Sequence, residues 1–187
     1  MSQTTTERIG LVRHFPVQHP LPRGWKTAAD LHRWRTEYDA SPTIPEPLEL
    51  GVRPWAACLC SDLARTVTTA RAAFSGSLEV TPLLREPELA EFRTGNLRLP
   101  VWAWRWVLRL AWLTGHGSQR AGRDEFKGRV QRVADLLVSR GSSVLVVSHA
   151  GMMAYLSAEL KRRGYEGPNL RLPKPARLYV FEWRQPR

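Results

Sequence analysis

The chain has 187 residues, of which 43% are hydrophobic, 28 are Lys or Arg and 17 are Asp or Glu, for a net charge of +11. This length and composition predict a single globular domain over residues 1–187 with a sizeable core, and they exclude a low-complexity or disordered chain. The N-terminal residues MSQTTTERIG lack the apolar stretch of a signal peptide, and no segment approaches the roughly 18 apolar residues of a membrane span, so we expect a cytoplasmic protein.

Strand and helix patterns alternate along most of the chain. In chain order, the predicted strands cover residues 8–12, 55–60, 78–81, 143–147 and 178–183. The predicted helices cover residues 27–40, 61–74, 124–141 and 151–164, the first of them amphipathic and the second with Ser61 as its N-cap. Near-continuous apolar strands suit a sheet that is covered on both faces. The alternation therefore predicts an α/β three-layer sandwich, with a mostly parallel central sheet and helices on both faces.

Residues 86–122 interrupt this alternation and contain the tryptophan-rich segment VWAWRWVLRLAWL. A connection this long inside a compact domain predicts a helical lid insertion that sets substrate choice. A helix that is apolar nearly all round is normally buried, so we expect it to pack on the core or across a homodimer interface. Two alternatives remain open: an apolar wall for a bulky substrate, with Arg105 or Arg109 reaching its anionic part, and interfacial membrane binding.

Charged and nucleophilic side chains follow three of the predicted strands. Arg13 and His14 end the first strand, Arg65 lies in the first turn of the helix after the second, and His149 follows the strand over 143–147. If these strands are parallel, their ends meet at one sheet edge. Two imidazoles and two guanidinium groups at that edge predict a site for a phosphate-like anion, because guanidinium binds phosphate with two parallel hydrogen bonds.

Four segments in order resemble the histidine phosphatase superfamily, the phosphoglycerate-mutase-like phosphatases. The segments are LVRHF, SDLARTVTTA, LLREPELAEF and VLVVSHAGMM, and they span roughly residues 9–153. The resemblance implies a metal-independent phosphomonoesterase without a cofactor that acts on a small phosphorylated metabolite. It implies that His14 is the nucleophile that forms a phosphohistidine, and that Glu86 protonates the leaving alcohol. It also implies that Arg13, Arg65 and His149 hold the phosphoryl oxygens.

The sequence departs from the family pattern at three positions. Phe15 replaces the usual glycine after the nucleophile, which bears on the width of the pocket and on the backbone turn. Ala150 replaces the glycine after the second histidine, and Pro20 stands where many members have an asparagine. We count Phe15 and His19 as candidate pocket residues.

The acid assignment also has a competitor nearby. Glu91 lies five residues beyond Glu86, with Glu88 between them, so Glu91 is the second candidate for the acid and also a candidate pocket residue.

Other functions remain as alternatives. Within the family these are phosphoglycerate-mutase-type transfer and protein phosphohistidine phosphatase activity, and outside it a non-catalytic module that binds a phosphate ligand or nucleic acid. Scattered basic residues without a basic tail argue against a nucleic-acid partner. The sequence contains no His and Asp cluster with the spacing of metal ligands. Cys58 and Cys60, with one residue between them, are interpreted as small buried residues of a protein whose thiols are reduced. We expect no membrane partner, and the homodimer stays open.

Overall fold

A six-stranded sheet forms the centre of the computed structural model, which describes residues 7–51, 54–87 and 94–183. Its strands, in chain order, are β1 (Arg8–Arg13), β3 (Ala57–Cys60), β4 (Leu78–Val80), β6 (Val144–Ser148), β7 (Tyr165–Glu166) and β8 (Leu178–Trp183). A separate two-stranded pair is formed by β2 (Trp25–Lys26) and β5 (Leu99–Pro100). The spatial order of the large sheet is β4-β3-β6-β1-β8-β7.

The helices are α1 (Ala28–Ala40), α2 (Ala64–Ala73), α3 (Val101–Thr114), α4 (Gly117–Ser139) and α5 (Ala150–Arg162), with a 3₁₀ turn at Pro82–Leu84. On one face of the sheet, Ile9, Leu11 and Val146 pack with residues of α4 and α5. On the other face, Val12 and Val147 pack with Ala70 of α2. Both faces are buried because alternate strand side chains point in opposite directions. The three-layer α/β sandwich is confirmed.

The sheet is parallel where the predicted site requires it. Strand β6 pairs in parallel with both β1 and β3, and β3 pairs in parallel with β4, whereas β8 runs antiparallel to β1 at the other side. The carboxyl ends of β1, β3 and β6 therefore share one edge. Cys58 and Cys60 are buried on the same face of β3 with their thiols free, as predicted.

Two predicted helix starts are wrong. Helix α2 begins at Ala64 with Leu63 as its cap residue, so Ser61 does not cap it. The Ser61 hydroxyl instead forms a hydrogen bond with His149. Helix α4 begins at Gly117 rather than at residue 124, with the His116 side chain accepting from the Ser118 amide as its cap.

Helix α1 forms where it was predicted, and it begins with a capping box. The Thr27 hydroxyl accepts a hydrogen bond from the Asp30 amide, and the Asp30 carboxylate accepts one from the Thr27 amide. The amphipathic pattern of this helix does not bury any residue fully.

The tryptophan-rich helix α3 is fixed on its inner side and exposed on its outer side. The Trp104 indole N–H donates to the Lys26 carbonyl at 2.6 Å, and that of Trp112 donates to the Tyr155 hydroxyl at 2.8 Å. The expected packing of this helix on the core is present along one side, while the outer face exposes Trp102, Trp106, Leu110 and Leu113. A homodimer contact through that face stays a prediction. Among the described residues, no helix combines the length and apolar character needed to cross a bilayer.

Candidate active site

The register of two parallel strands brings His14 and His149 together. Arg13 of β1 lies opposite Ser148 of β6, so the residues that follow each strand are neighbours. The His14 amide donates to the Ser148 carbonyl at 3.0 Å, and the two imidazole centroids lie 5.2 Å apart with ring planes at 61°. Both side chains are buried. The predicted proximity of the two imidazoles is therefore present in the fold.

The environment of His14 holds its ring neutral and defines its tautomer. The Nδ1 atom lies 2.6 Å from the Phe15 carbonyl oxygen, and because a carbonyl can only accept, Nδ1 carries the proton. The lone pair is then on Nε2. Burial lowers the pKa of His14 to about 3, with the charges of Arg65 and Arg13 acting in the same direction and the Phe15 hydrogen bond and Asp39 opposing. An uncharged imidazole with a free Nε2 is the nucleophilic form.

The buried ring of His149 has one hydrogen-bonded nitrogen. Its Nε2 lies 3.1 Å from the Ser61 hydroxyl oxygen, while Nδ1 has no hydrogen-bond partner among the described residues. The pKa of His149 is well below its usual value because of burial first, followed by Arg65 and His14. Since the Ser61 hydroxyl can donate to Nε2, the tautomer with a proton on Nδ1 is available. That tautomer would offer an unpaired donor to an anion.

Arg65 is a buried guanidinium with an unused donor. Its Nη1 donates to Asp39 at 2.7 Å, and the Tyr38 ring lies under the guanidinium carbon at 5.3 Å. Its Nε is buried and has no hydrogen-bond partner within the described part of the chain. Asp39 and Tyr38 therefore hold the guanidinium of Arg65 in place, and the Nε–H of Arg65 stays available to donate to a ligand.

Arg13 is arranged in a similar way at the end of β1. Its Nη1 donates to the Pro173 carbonyl at 3.1 Å, while its buried Nε has no hydrogen-bond partner in the residues described. Arg13 and Arg65 both lower the pKa values of His14, His149 and Glu86, which places their positive charges around one site.

Glu86 reaches the same site through the turn that precedes it. The Ser148 hydroxyl donates to the Leu84 carbonyl at 2.8 Å and attaches this turn to the end of β6. The Gly151 amide, in the first turn of α5, donates to the Glu86 Oε1 at 2.6 Å. Burial raises the pKa of Glu86, opposed by the Gly151 hydrogen bond and by the charges of Arg35, Arg13 and Arg65. A raised pKa keeps a carboxyl protonated at higher pH, as a general acid requires.

Gly151, within the last motif, and Arg129, outside the motifs, hold Glu86 in place. A Cβ atom at Gly151 would lie 3.0 Å from Glu86 Oε1, so glycine allows the carboxylate to approach this amide. The Arg129 guanidinium donates to the Arg85 and Glu86 carbonyls at 3.1 and 3.4 Å and pairs with Glu125 at 2.9 Å. Arg129 therefore ties the chain around Glu86 to α4.

Helix α1 contributes charged groups that the motifs did not indicate. The two Asp39 oxygens bridge two arginines, with Oδ1 at 2.7 Å from Arg65 Nη1 and Oδ2 at 3.3 Å from Arg35 Nε. Arg35 lowers the pKa values of both Glu86 and His149, so its charge acts on the site. The only sequence signal was the spacing of Arg35 and Asp39 four residues apart on a helix, which is also typical of an exposed ion pair.

The remaining candidate residues are placed as follows. Phe15 is buried, and its amide donates to Thr69 at 2.9 Å. Its φ is not positive, because Ala176 is the one non-glycine residue with a positive φ among those described, so this turn does not need glycine. His19 lies 3.7 Å from Glu37 and stacks near Trp34 with ring centroids 5.9 Å apart. A role of either residue in substrate binding stays a prediction.

Arg105 and Arg109 of α3 line a groove of about 710 Å³. The lining of this groove also includes Pro87, which follows Glu86 in the sequence. Their contact with substrate stays a prediction. Glu91 lies outside the described residues. Within 7–51, 54–87 and 94–183, no three His, Cys, Asp or Glu side chains are grouped closely enough to hold a metal ion.

Comparison with known proteins agrees with this geometry at the level of family and fold. The sequence model of the Histidine phosphatase superfamily (branch 1) matches residues 48–187. No functionally curated protein matches the sequence.

Several solved structures share the fold. A candidate alpha-ribazole-5'-P phosphatase from Escherichia coli K-12 has 24% identity and a TM-score of 0.53, covering 82% of this chain and 79% of its own. A mycobacterial glucosyl-3-phosphoglycerate phosphatase has 23% identity and a TM-score of 0.51, covering 84% and 80%. A phosphoglycerate mutase from Bacillus anthracis has 17% identity and a TM-score of 0.54, covering 96% and 89%. At these identities the likeness is one of fold.

Proposed function

The chain belongs to the histidine phosphatase superfamily, and we propose that it is a hydrolase that cleaves phosphate monoesters through a phosphohistidine intermediate. The observation that carries this proposal is the state of His14. Its Nδ1–H donates to the Phe15 carbonyl, which leaves the lone pair on Nε2, and its low pKa keeps the ring neutral. A module that only binds phosphate has no need of an uncharged nucleophile among arginines.

The first half of the reaction transfers the phosphoryl group to the protein. The His14 Nε2 lone pair attacks phosphorus as the bond to the ester oxygen breaks, and the proton on Glu86 goes to the leaving alcohol. Arg13, Arg65 and His149 stabilise the charge on the three equatorial oxygens. Their unpaired buried nitrogens support this assignment, since each has an unused position for a phosphoryl oxygen.

The second half releases phosphate. The Glu86 carboxylate takes a proton from a water molecule, whose oxygen attacks the phosphorus of the phosphohistidine. The N–P bond breaks, its electron pair returns to Nε2, and inorganic phosphate leaves. The same carboxyl thus acts first as acid and then as base.

The arginines supply the positive charge that a metal ion would otherwise provide, so we infer that the reaction needs no metal. The substrate class that we propose is a small phosphorylated metabolite. We also infer that the chain is a single domain in which residues 86–122 form the insertion that sets substrate choice. Glu86 opens this insertion, and Arg105 and Arg109 lie on its central helix.

A phosphoenzyme experiment tests the proposal. The wild-type protein, with EDTA present, should release nitrophenol from p-nitrophenyl phosphate, and acid-sensitive, alkali-stable label should accumulate on the protein during turnover of a labelled ester. The His14→Ala variant should lose both, while His32→Ala, a change at an exposed histidine, should retain them. Wild-type turnover by His14→Ala would refute His14 as the nucleophile, and no hydrolysis of any ester in a broad panel would favour the binding module.

A further inference from the structure

The outer face of α3 carries a continuous apolar stripe. Trp102, Trp106, Leu110 and Leu113 are 68%, 60%, 55% and 58% exposed, respectively. Their spacing of four, four and three residues places them on one side of the helix over its whole length. Large side chains are rarely exposed as a contiguous set unless the surface binds something.

The stripe cannot turn inward, because the opposite side of α3 is attached to the core. The Trp104 and Trp112 indoles are buried and hydrogen bonded to Lys26 and Tyr155. A further exposed tryptophan lies next to the start of the helix. Trp25, which is 67% exposed, pairs in β2 with Pro100, the residue before α3. Two exposed tryptophans therefore lie on a helix that is attached to the core, and a third lies near its first residue.

The charge on this helix favours an anionic partner. Arg105 and Arg109 follow Trp102 and Trp106 by three residues each and lie beside the stripe, and the sequence of Val101–Thr114 contains no acidic residue. A second copy docking by the same face would bring its own arginines close without carboxylates from α3 to pair with them. The net charge of +11 acts in the same direction.

We propose that this face docks on the surface of an anionic lipid bilayer. A helix of 14 residues is about 21 Å long and lies in the plane of the interface instead of crossing it. The tryptophans and leucines enter the boundary between headgroups and acyl chains, where indole is favoured. The two arginines extend to lipid phosphates. The sequence leaves interfacial membrane binding as one alternative for this segment, although no membrane partner is expected for the protein as a whole. The outward position of the stripe is what supports this partner.

Vesicle co-sedimentation tests the docking, and it does not depend on catalysis. The intact chain should bind vesicles of phosphatidylcholine and phosphatidylglycerol in a two-to-one mixture, and should bind pure phosphatidylcholine much more weakly. The double variant Trp106→Ser/Leu110→Ser should lower the partition coefficient at least about tenfold, because both exposed side chains lose apolar burial. Arg105→Gln and Arg109→Gln should each lower it about fivefold at low salt.

Control variants distinguish docking through α3 from non-specific adsorption to vesicles and from misfolding. Leu172→Ala removes an apolar side chain that is 77% exposed, and Arg132→Gln removes an exposed charge on α4, and neither should change binding. Urea unfolding should show that Trp106→Ser/Leu110→Ser remains folded.

Two results would overturn the proposal. The first is that the protein does not bind vesicles, binds charged and uncharged vesicles equally, or binds them only as well as the double variant does. The second is a concentration-dependent dimer that the double variant abolishes, since that would make the face a contact between copies.

Discussion

The neutral state of His14 predicts a specific loss of stability at acid pH. In the native protein, burial lowers the pKa of His14 to about 3, against 6.5 for an ordinary histidine. As the pH falls below 6.5, the unfolded chain takes up a proton at this position that the native chain does not. The free energy of unfolding therefore decreases as the pH falls, over the window from 6.5 down to about 3.

The magnitude follows from the two pKa values. Between pH 7 and pH 5, His14 alone should cost the native state about 2 kcal/mol, at 1.4 kcal/mol for each pH unit below the unfolded pKa. His149 adds to the loss in the same direction, because its pKa is also lowered by burial. The variant His14→Gln removes the titrating group while keeping a polar side chain of similar length.

Urea denaturation at the two pH values provides the measurement. Wild type should lose about 2 kcal/mol more than His14→Gln between pH 7 and pH 5. His32→Gln, at an exposed position, serves as the control and should follow wild type. Equal pH dependence of wild type and His14→Gln would refute a buried neutral imidazole at position 14 and would weaken its assignment as nucleophile.

Four further predictions follow from contacts in the site. Glu86→Gln should lower kcat/KM for alkyl phosphates by about 10²–10⁴, and kcat/KM for nitrophenyl phosphate, whose leaving group needs little protonation, should fall less, while hydrolysis of the phosphohistidine should slow equally with both substrates. Gly151→Ala should displace the Glu86 carboxylate by a few tenths of an ångström from its amide and lower kcat by about tenfold, and thermal unfolding should show that the variant remains folded. Arg65→Lys should lower kcat/KM by about 10² or more, and a retained value would remove the guanidinium from the phosphate. Asp39→Ala leaves the buried Arg65 Nη1 unpaired and should destabilise the protein by about 2 kcal/mol in urea titrations.

The main elements of the site are readable from local pattern because each combines an apolar strand with a polar residue at its end. The pattern around residues 8–14 predicts a buried strand with Arg13 and His14 at its end. In the structure, β1 ends at Arg13. Ser61 shows the limit of the same reasoning. Its position before a helix predicts an N-cap, but its hydroxyl forms a bond with a residue 88 positions away. Local propensity cannot reveal a partner that the fold supplies.

The α1 groups were missed for the same reason. Arg35 and Asp39 have the spacing of an ordinary surface pair, and only the packing of α1 beside α2 brings the carboxylate to Arg65. Helix α3 gives the opposite case. The composition of this helix predicts that it packs on the core. Because its sequence is apolar on nearly all sides, it does not indicate which side faces outward.

Periodicity and the order of the motifs were sufficient for the α/β class and for the sequence positions of the candidate nucleophile, arginines and acid, because these depend on short-range patterns in the chain. Tertiary structure alone determined the His14 tautomer, the lowered pKa values of both imidazoles, the Gly151–Glu86 contact and the outward face of α3. Each of these features depends on atoms that are distant in the sequence and that either exclude water from a side chain or form a hydrogen bond with it. The order of residues along the chain does not specify which atoms those are.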